Sequence, residues 1–404
     1  MKATAVVTGI GVAAPNGLRT EEFWASTCAG LSGIDTVSRF DPASYPSRLA
    51  GQVRGFDAKE HLPSRLLPQT DHMTQMGLAV ADWALADSGV DTSTLPEYGM
   101  GVVTAASAGG YEFGQTELEK LWSRGPRHVS AYQSFAWFYA VNTGQISIRN
   151  KMRGPCQTLV SDQAGGLDAI GQARRRVRGG VPLVMTGGVD GSICPWGWLG
   201  HLSSGRVSTA EAPERAFLPF DAAAGGHVVG EGGAHLVVEE AGAAQARGAR
   251  PYGRIAGYSA TFDPAPGSGL PSALPRAIEQ ALSDAGKAPE EVGAVFADAA
   301  AVPELDRAEA EAISGVFGPG GVPVTAPKTM TGRLHAGGGP LDVATALLAL
   351  RDGVIPPTVN TELSSSYDID LVSGEARESA ELDTVLVLAR GQGGFNSAMV
   401  LCAS

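Results

Sequence analysis

The chain has 404 residues, 44% of them apolar and 18% charged, which is enough for a large core and excludes a disordered chain. A net charge of −12 argues against nucleic acid and anionic membrane as partners, and no run of about 18 apolar residues is present to span a bilayer. Four widely spaced cysteines and seven histidines without HxxxH spacing predict neither a disulfide frame nor a metal site, and fit a reducing cytoplasm.

In chain order, residues 3–8 read as a buried strand that runs straight in without a signal-peptide layout. Gly9-Ile10-Gly11 and Pro15-Asn16-Gly17 read as a loop, and the rest of a dinucleotide fingerprint is missing after the glycine pair. Thr20 is placed to cap a helix whose first turn carries Glu21 and Glu22. Residues 101–104 predict a strand, 111–122 a helix and 157–160 a short strand. A helix over 163–178 follows, with Leu167, Ile170, Ala173 and Val177 on one face and Gly179-Gly180 as its stop. Arg174 to Arg178 read as a charge bias at its C-terminal end.

After a strand at 181–186, the second half repeats the rhythm. Strands are expected at 292–296 and 322–326, helices at 305–317 and 341–350, and closing strands at 384–388 and 398–402. Alternating strand and helix predict an α/β layered architecture, divided into 1–245 and 246–404 near the Ala-, Gly- and Arg-rich stretch 242–251. No short tandem repeat is visible.

The segment Val160-Ser161-Asp162-Gln163-Ala164-Gly165-Gly166 reads as strand, tight turn and helix start. A cysteine at position 163 would have its thiol pKa lowered by the helix N-terminus and be exposed to an acyl group. This resembles the nucleophile elbow of the β-ketoacyl synthases. The resemblance extends over essentially the whole chain through Leu218-Pro219-Phe220-Asp221 with Gly230-Glu231-Gly232-Gly233, through Lys328-Thr329-Met330-Thr331-Gly332, and through Gly391-Gln392-Gly393-Gly394-Phe395-Asn396. It implies a thiolase-like fold of two similar halves in α-β-α-β-α layers.

The departures are informative. Gln163 stands at the nucleophile position, and an amide cannot form a thioester. The family's two catalytic histidines would fall at Asp298 and at Arg333, while Lys328 is retained. His335 lies two residues beyond the register that Gly332 fixes. Cys156 and Cys194 are off the elbow and read as inert thiols.

The segment around Gln163, the run from Phe135 through Phe138 to Gln145, and Lys328 to Arg333 are similar to those of chain length factors. This resemblance implies a β subunit that pairs with an active ketosynthase α subunit and shapes the tunnel for a growing polyketide chain. It implies no directly bound cofactor, because phosphopantetheine of an acyl carrier protein is supplied in trans. Phe135 and Phe138 are expected at the dimer interface. Tyr111, Gly114 and Leu118 share one helix face and, with Trp196, match positions that line the tunnel end. On that reading Gly114 leaves space for a decaketide or longer product. Opposite charges at Asp298 and Arg333 are expected to meet, with Gln163 or Lys328 completing their network. The alternative is a malonyl decarboxylase acting through Gln163, which the loss of both histidines disfavours.

Overall fold

The strand–helix alternation resolves into one arrangement laid down twice. In the computed structural model, which describes residues 3–265 and 267–404, the first half contributes β1 (Ala5–Ala14), β2 (Met100–Ala105), β3 (Cys156–Leu159), β4 (Leu183–Asp190) and β5 (Gly232–Glu240). The second contributes β6 (Gly253–Phe262), β7 (Ala294–Phe296), β8 (Pro323–Thr325), β9 (Thr384–Gly391) and β10 (Phe395–Cys402). The principal helices are α1 (Thr20–Cys28), α2 (His72–Ser88), α3 (Tyr111–Arg124), α4 (Ala164–Arg178), α5 (Pro195–Leu202), α6 (Leu274–Ala285), α7 (Pro303–Phe317) and α8 (Gly338–Asp352).

The sheet order is β1-β5-β4-β2-β3 in the first half and β6-β10-β9-β7-β8 in the second, the same path twice. Directions also match. β2 runs parallel to β3 and β4, as β7 does to β8 and β9, while β5 and β10 run antiparallel to both neighbours. The halves join where Val6 faces Arg254 and Val7 faces Gly253. Helices α4 and α8 pack on each other and on strands of both halves, α2 covers the first half, and α6 with α7 covers the second. This is the α-β-α-β-α layering expected from the resemblance. The face Leu167, Ile170, Ala173 and Val177 of α4 is fully buried in it, against Leu341 and Leu347 of α8.

The glycine pair near the start lies inside β1, not in a loop. A bulge falls between Val7 and Gly9, and a Cβ on Gly9 would overlap the Ala84 carbonyl oxygen of α2. The same device recurs between Ile255 and Gly257 of β6, where a Cβ would overlap the Ala281 carbonyl oxygen of α6. In each half the absent side chain lets the outer helix lie directly on the bulged strand. Thr20 is not the cap of α1 either. Arg19 occupies that position with φ 66°, and the Thr20 hydroxyl donates to the Ile10 carbonyl at 2.9 Å.

Arg174 is more than a charge bias at a helix end. It is buried, donates to the Ala256 carbonyl of β6 and pairs with Asp284 of α6, so it ties the two halves together.

Candidate functional site

Strand β3 ends in a turn in which Asp162 adopts φ 52° and its carbonyl accepts the Gly165 N–H at 3.0 Å. Gln163 follows with helical dihedrals and leads into α4. Its side chain is buried, and a Cβ on Gly338 at the start of α8 would lie 3.1–3.3 Å from its amide atoms. The Gln163 amide nitrogen has no hydrogen-bond partner among the described residues. The crevice beyond it, bounded by Lys328, Leu341 and Asp342, is about 10 Å³. That is roughly one water and no acyl group.

Asp298 follows β7 and Arg333 follows Gly332, whose φ of 80° turns the chain. Both side chains are buried and form a forked pair, with Arg333 Nη1 to Asp298 Oδ2 at 3.0 Å and Nη2 to Oδ1 at 3.1 Å. Arg333 also donates to the carbonyls of Asp298 (2.9 Å) and Arg390 (3.2 Å), and the Arg390 N–H donates to Asp298 Oδ1 at 2.8 Å. Glu309 accepts the N–H groups of Asp298 and Ala299 at 2.6 and 2.8 Å. Burial, then the Asp298 charge, pushes Glu309 up to about 7.

The partners that complete this network are therefore Arg390 and Glu309, in place of the expected Gln163 or Lys328. Lys328 is drawn off to Asp342 of α8 at 2.9 Å and donates to the Ala297 carbonyl. Two buried opposite charges in reach of each other pair, and each pair here has its own partners.

The opening above Gln163 is a cleft of about 660 Å³ that Asp298, Arg333, His201, His227 and His335 also line. The histidines are a feature the sequence reading missed, apart from noting His335. His335, at φ 50°, approaches Asp162 Oδ1 at 3.5 Å and stacks on His201 with ring centroids 4.7 Å apart. Burial opposes charge on His335, but the Asp162 contact and then the Asp190 charge raise its pKa above the usual value. Against the opposite push of burial, His335 and the Gln392 N–H hold the Asp162 carboxyl well below the usual range. Burial, then the His335 charge, pushes His201 down to about 3, and His227 is lowered well below its ordinary value, chiefly by burial. The signal that pointed here was adjacency, since Asp162 precedes Gln163 and His335 lies two residues after Arg333.

No thiol substitutes as nucleophile at this centre. Burial pushes Cys194 and Cys28 up to about 11, Cys402 is buried in the core, and Cys156 lies on β3. Among the described residues no group of three or more His, Cys, Asp or Glu side chains is arranged to hold a metal. No helix of the described residues is long and apolar enough to cross a membrane.

The predicted tunnel residues lie elsewhere. Tyr111 opens α3, with its ring 4.8 Å from Trp196 and 6.3 Å from Trp137. Gly114 is buried, but the space beside it is taken. A Cβ there would stand 3.0 Å from Cζ3 of Trp196. The inference from Gly114 to a deeper tunnel is corrected accordingly, because an indole from α5 occupies the room the glycine leaves. Leu118, further along the same face, is at the surface. Phe135 is half-buried, edge-on to Tyr132 at 5.6 Å, whereas Phe138 is 45% exposed beside Tyr139.

The profile described as "Beta-ketoacyl synthase, N-terminal domain" matches residues 3–244, and "Beta-ketoacyl synthase, C-terminal domain" matches 252–362. The chain is 60% identical over 402 residues to the tetracenomycin polyketide synthase ketoacyl synthase beta subunit of Streptomyces glaucescens, covering 99% of this chain and 98% of the relative. It is 59% identical over 398 residues to the actinorhodin polyketide beta-ketoacyl synthase 2 of Streptomyces coelicolor, with 98% of each chain covered. Among solved structures, the ishigamide ketosynthase/chain length factor superposes with a TM-score of 0.91 at 26% identity over 100% of both chains.

Proposed function

Because the chain belongs to the β-ketoacyl synthase family, we propose that it is the non-condensing β subunit that pairs with a catalytic ketosynthase α subunit and sets the length of the poly-β-ketone in aromatic polyketide biosynthesis. One observation carries this reading. The nucleophile position holds Gln163, an amide, and two positions lining the same cleft are locked in the Asp298–Arg333 fork. Condensation needs thiolate attack, oxyanion stabilisation and decarboxylation, and none of these side chains supplies the first. Malonyl units arrive on the phosphopantetheine of an acyl carrier protein and are joined in the partner's site.

The rest of the chain supports a partnered role. Among the described residues β3 ends the sheet path with only β2 beside it, so one row of its backbone groups is open for pairing with another chain. Apolar surface surrounds it. Val160 follows it directly, Ile148 sits on the helix Val141–Arg149 packed against it, and Tyr132, Trp137, Phe138 and Tyr139 are exposed in the preceding segment. Aromatic residues of this kind are enriched at interface cores. On this reading the α3 face of Tyr111, Gly114 and Leu118, with Trp196, bounds the far end of the shared tunnel. The names of the tetracenomycin relative, a ketoacyl synthase beta subunit, and of the ishigamide ketosynthase/chain length factor agree with the assignment.

The test is reconstitution. The purified chain incubated with malonyl-loaded carrier protein is expected to give no condensed product, and addition of its ketosynthase α subunit to give a polyketide of defined length. Condensation by the chain alone would falsify the proposal. Conversion of malonyl to acetyl carrier protein by the chain alone would instead favour decarboxylation through Gln163.

A further inference from the structure

Six tryptophans occur in the chain, and their settings differ. Trp198 of α5 is fully buried and its indole N–H donates to the Ser47 carbonyl at 3.2 Å, as a core residue does. Trp196, two residues earlier, is part-exposed and leans over Gly114. Trp137 is 42% exposed, yet its ring lies parallel to Trp196 within 9°, centroids 5.9 Å apart, and its Cε3 would be 3.7 Å from a Cβ on Gly114. Tyr111 touches both indoles. Two indoles from separate elements thus close over one glycine, with the Tyr111 ring beside them.

The main chain holds each ring in place. The Trp137 carbonyl accepts the Gly110 N–H at 3.1 Å, and a Cβ on Gly109 would overlap that carbonyl oxygen, so Trp137 is pinned to the entry of α3. The Trp196 N–H donates to Gln115 Oε1 of α3 at 2.8 Å, which fixes the first turn of α5 to the same helix. With both backbones tied to α3, the edge of the Trp196 indole reaches the Cβ position of Gly114 and Trp137 stacks parallel on one face of that indole. Offset-stacked aromatic pairs hold such an orientation better than an aliphatic neighbour does.

We propose that Trp137 is a further specificity-determining residue: it braces Trp196 over Gly114 and so sets how far a poly-β-ketone chain extends along α3. This rests on the reading that the α3 face bounds the tunnel. Trp137 lies outside α3, 23 residues beyond Gly114 in the chain, and acts by stacking. Its removal frees the stacked face of Trp196, lets that indole rotate off Gly114 and opens the room the glycine leaves. Phenylalanine at the same position keeps a ring against Trp196 and most of the restraint.

The experiment uses the full chain reconstituted with its ketosynthase α subunit, carrier protein and malonyl donor. Product lengths are read by mass spectrometry and the heterodimer by size-exclusion chromatography. Trp137→Ala is expected to move at least half of the product to chains longer by one or more two-carbon units, and Trp137→Phe to shift much less. Unchanged lengths from an intact Trp137→Ala heterodimer would overturn the proposal. So would loss of the heterodimer in both variants with the residual product unchanged, which would make Trp137 an interface anchor only. Tyr111→Ala separates the two levels. If it lengthens the product while Trp137→Ala does not, this inference alone fails; if neither variant changes the length, the α3 reading fails with it.

Discussion

The centre around Gln163 and the aromatic face around α3 have opposite characters. At the centre the charged groups have found partners inside the chain. Arg333 forks onto Asp298, Lys328 meets Asp342, and Asp162 meets His335. At the aromatic face Trp137, Phe138 and Tyr139 are each about two-fifths exposed, and Trp122 at the far end of α3 is 84% exposed. The charges of the centre are paired within one copy of the chain, whereas the aromatic face stays exposed. A chain that has given up reaction chemistry and kept an assembly role would be divided in this way. Buried charges must be neutralised internally, because an unpaired buried ion costs several kcal/mol. An exposed aromatic surface carries no such penalty and persists where a partner uses it.

The sharpest way to break this contrast is to cut the central fork. Arg333→Met leaves Asp298 buried without its counter-charge and is expected to destabilise the chain by about 3–5 kcal/mol. Urea unfolding of the isolated chain measures this, and a loss below about 1 kcal/mol would mean that the pair is solvated or replaced. A second effect is a pH dependence carried by His201. Its folded pKa lies near 3, below the ordinary 6.5 of histidine, because of burial and then the His335 charge. Between those values the unfolded chain binds the extra proton, so stability falls as pH drops through the window. His201→Gln should therefore flatten the decline in unfolding midpoint between pH 6.5 and 4; parallel curves for variant and parent would remove His201 as its source.

At the aromatic face the expectation reverses. Phe138→Ala should change the stability of the isolated chain by less than about 0.5 kcal/mol, as exposed positions do. It should weaken association with the α subunit by about 2 kcal/mol if Phe138 is an anchor. Isothermal titration and unfolding of the same preparation test both halves of that statement. The smallest effect belongs to Gln163→Cys. The new thiol would border the cleft of about 660 Å³, but Asp298 and Arg333 would still be paired there, with no imidazole at either position. No condensation is expected from that variant alone, and malonyl incorporation by it would place the block at Gln163 by itself.

Much of this was legible in the residues. A nucleophile elbow is a local pattern of strand, turn and helix, so Gln163 could be placed at the start of α4 from adjacent residues. Opposite charges at two positions that converge in this fold had to meet, so Asp298 and Arg333 could be paired across 35 positions once the register was known. Their further partners could not be read, because Arg390 and Glu309 come from β9 and α7 and nothing in their neighbours marks them. The internal repeat was hidden for a related reason. Gly9 and Gly257 serve one purpose in two bulged strands, but that purpose is the close approach of a helix, which leaves no shared string of residues.

The sequence by itself determined which reactive groups are absent from these positions, because a side chain's reactivity belongs to its type: an amide is not a nucleophile, and an acid and a guanidinium are not imidazoles. Only the tertiary structure decided what fills the space those side chains and the glycines leave. Gly114 reads as room along one helix, yet Trp196 from another element stands in it and Trp137 from a third stacks on that indole. Volume is shared among whatever elements packing brings together, so a residue absent from one can be replaced by a ring from another.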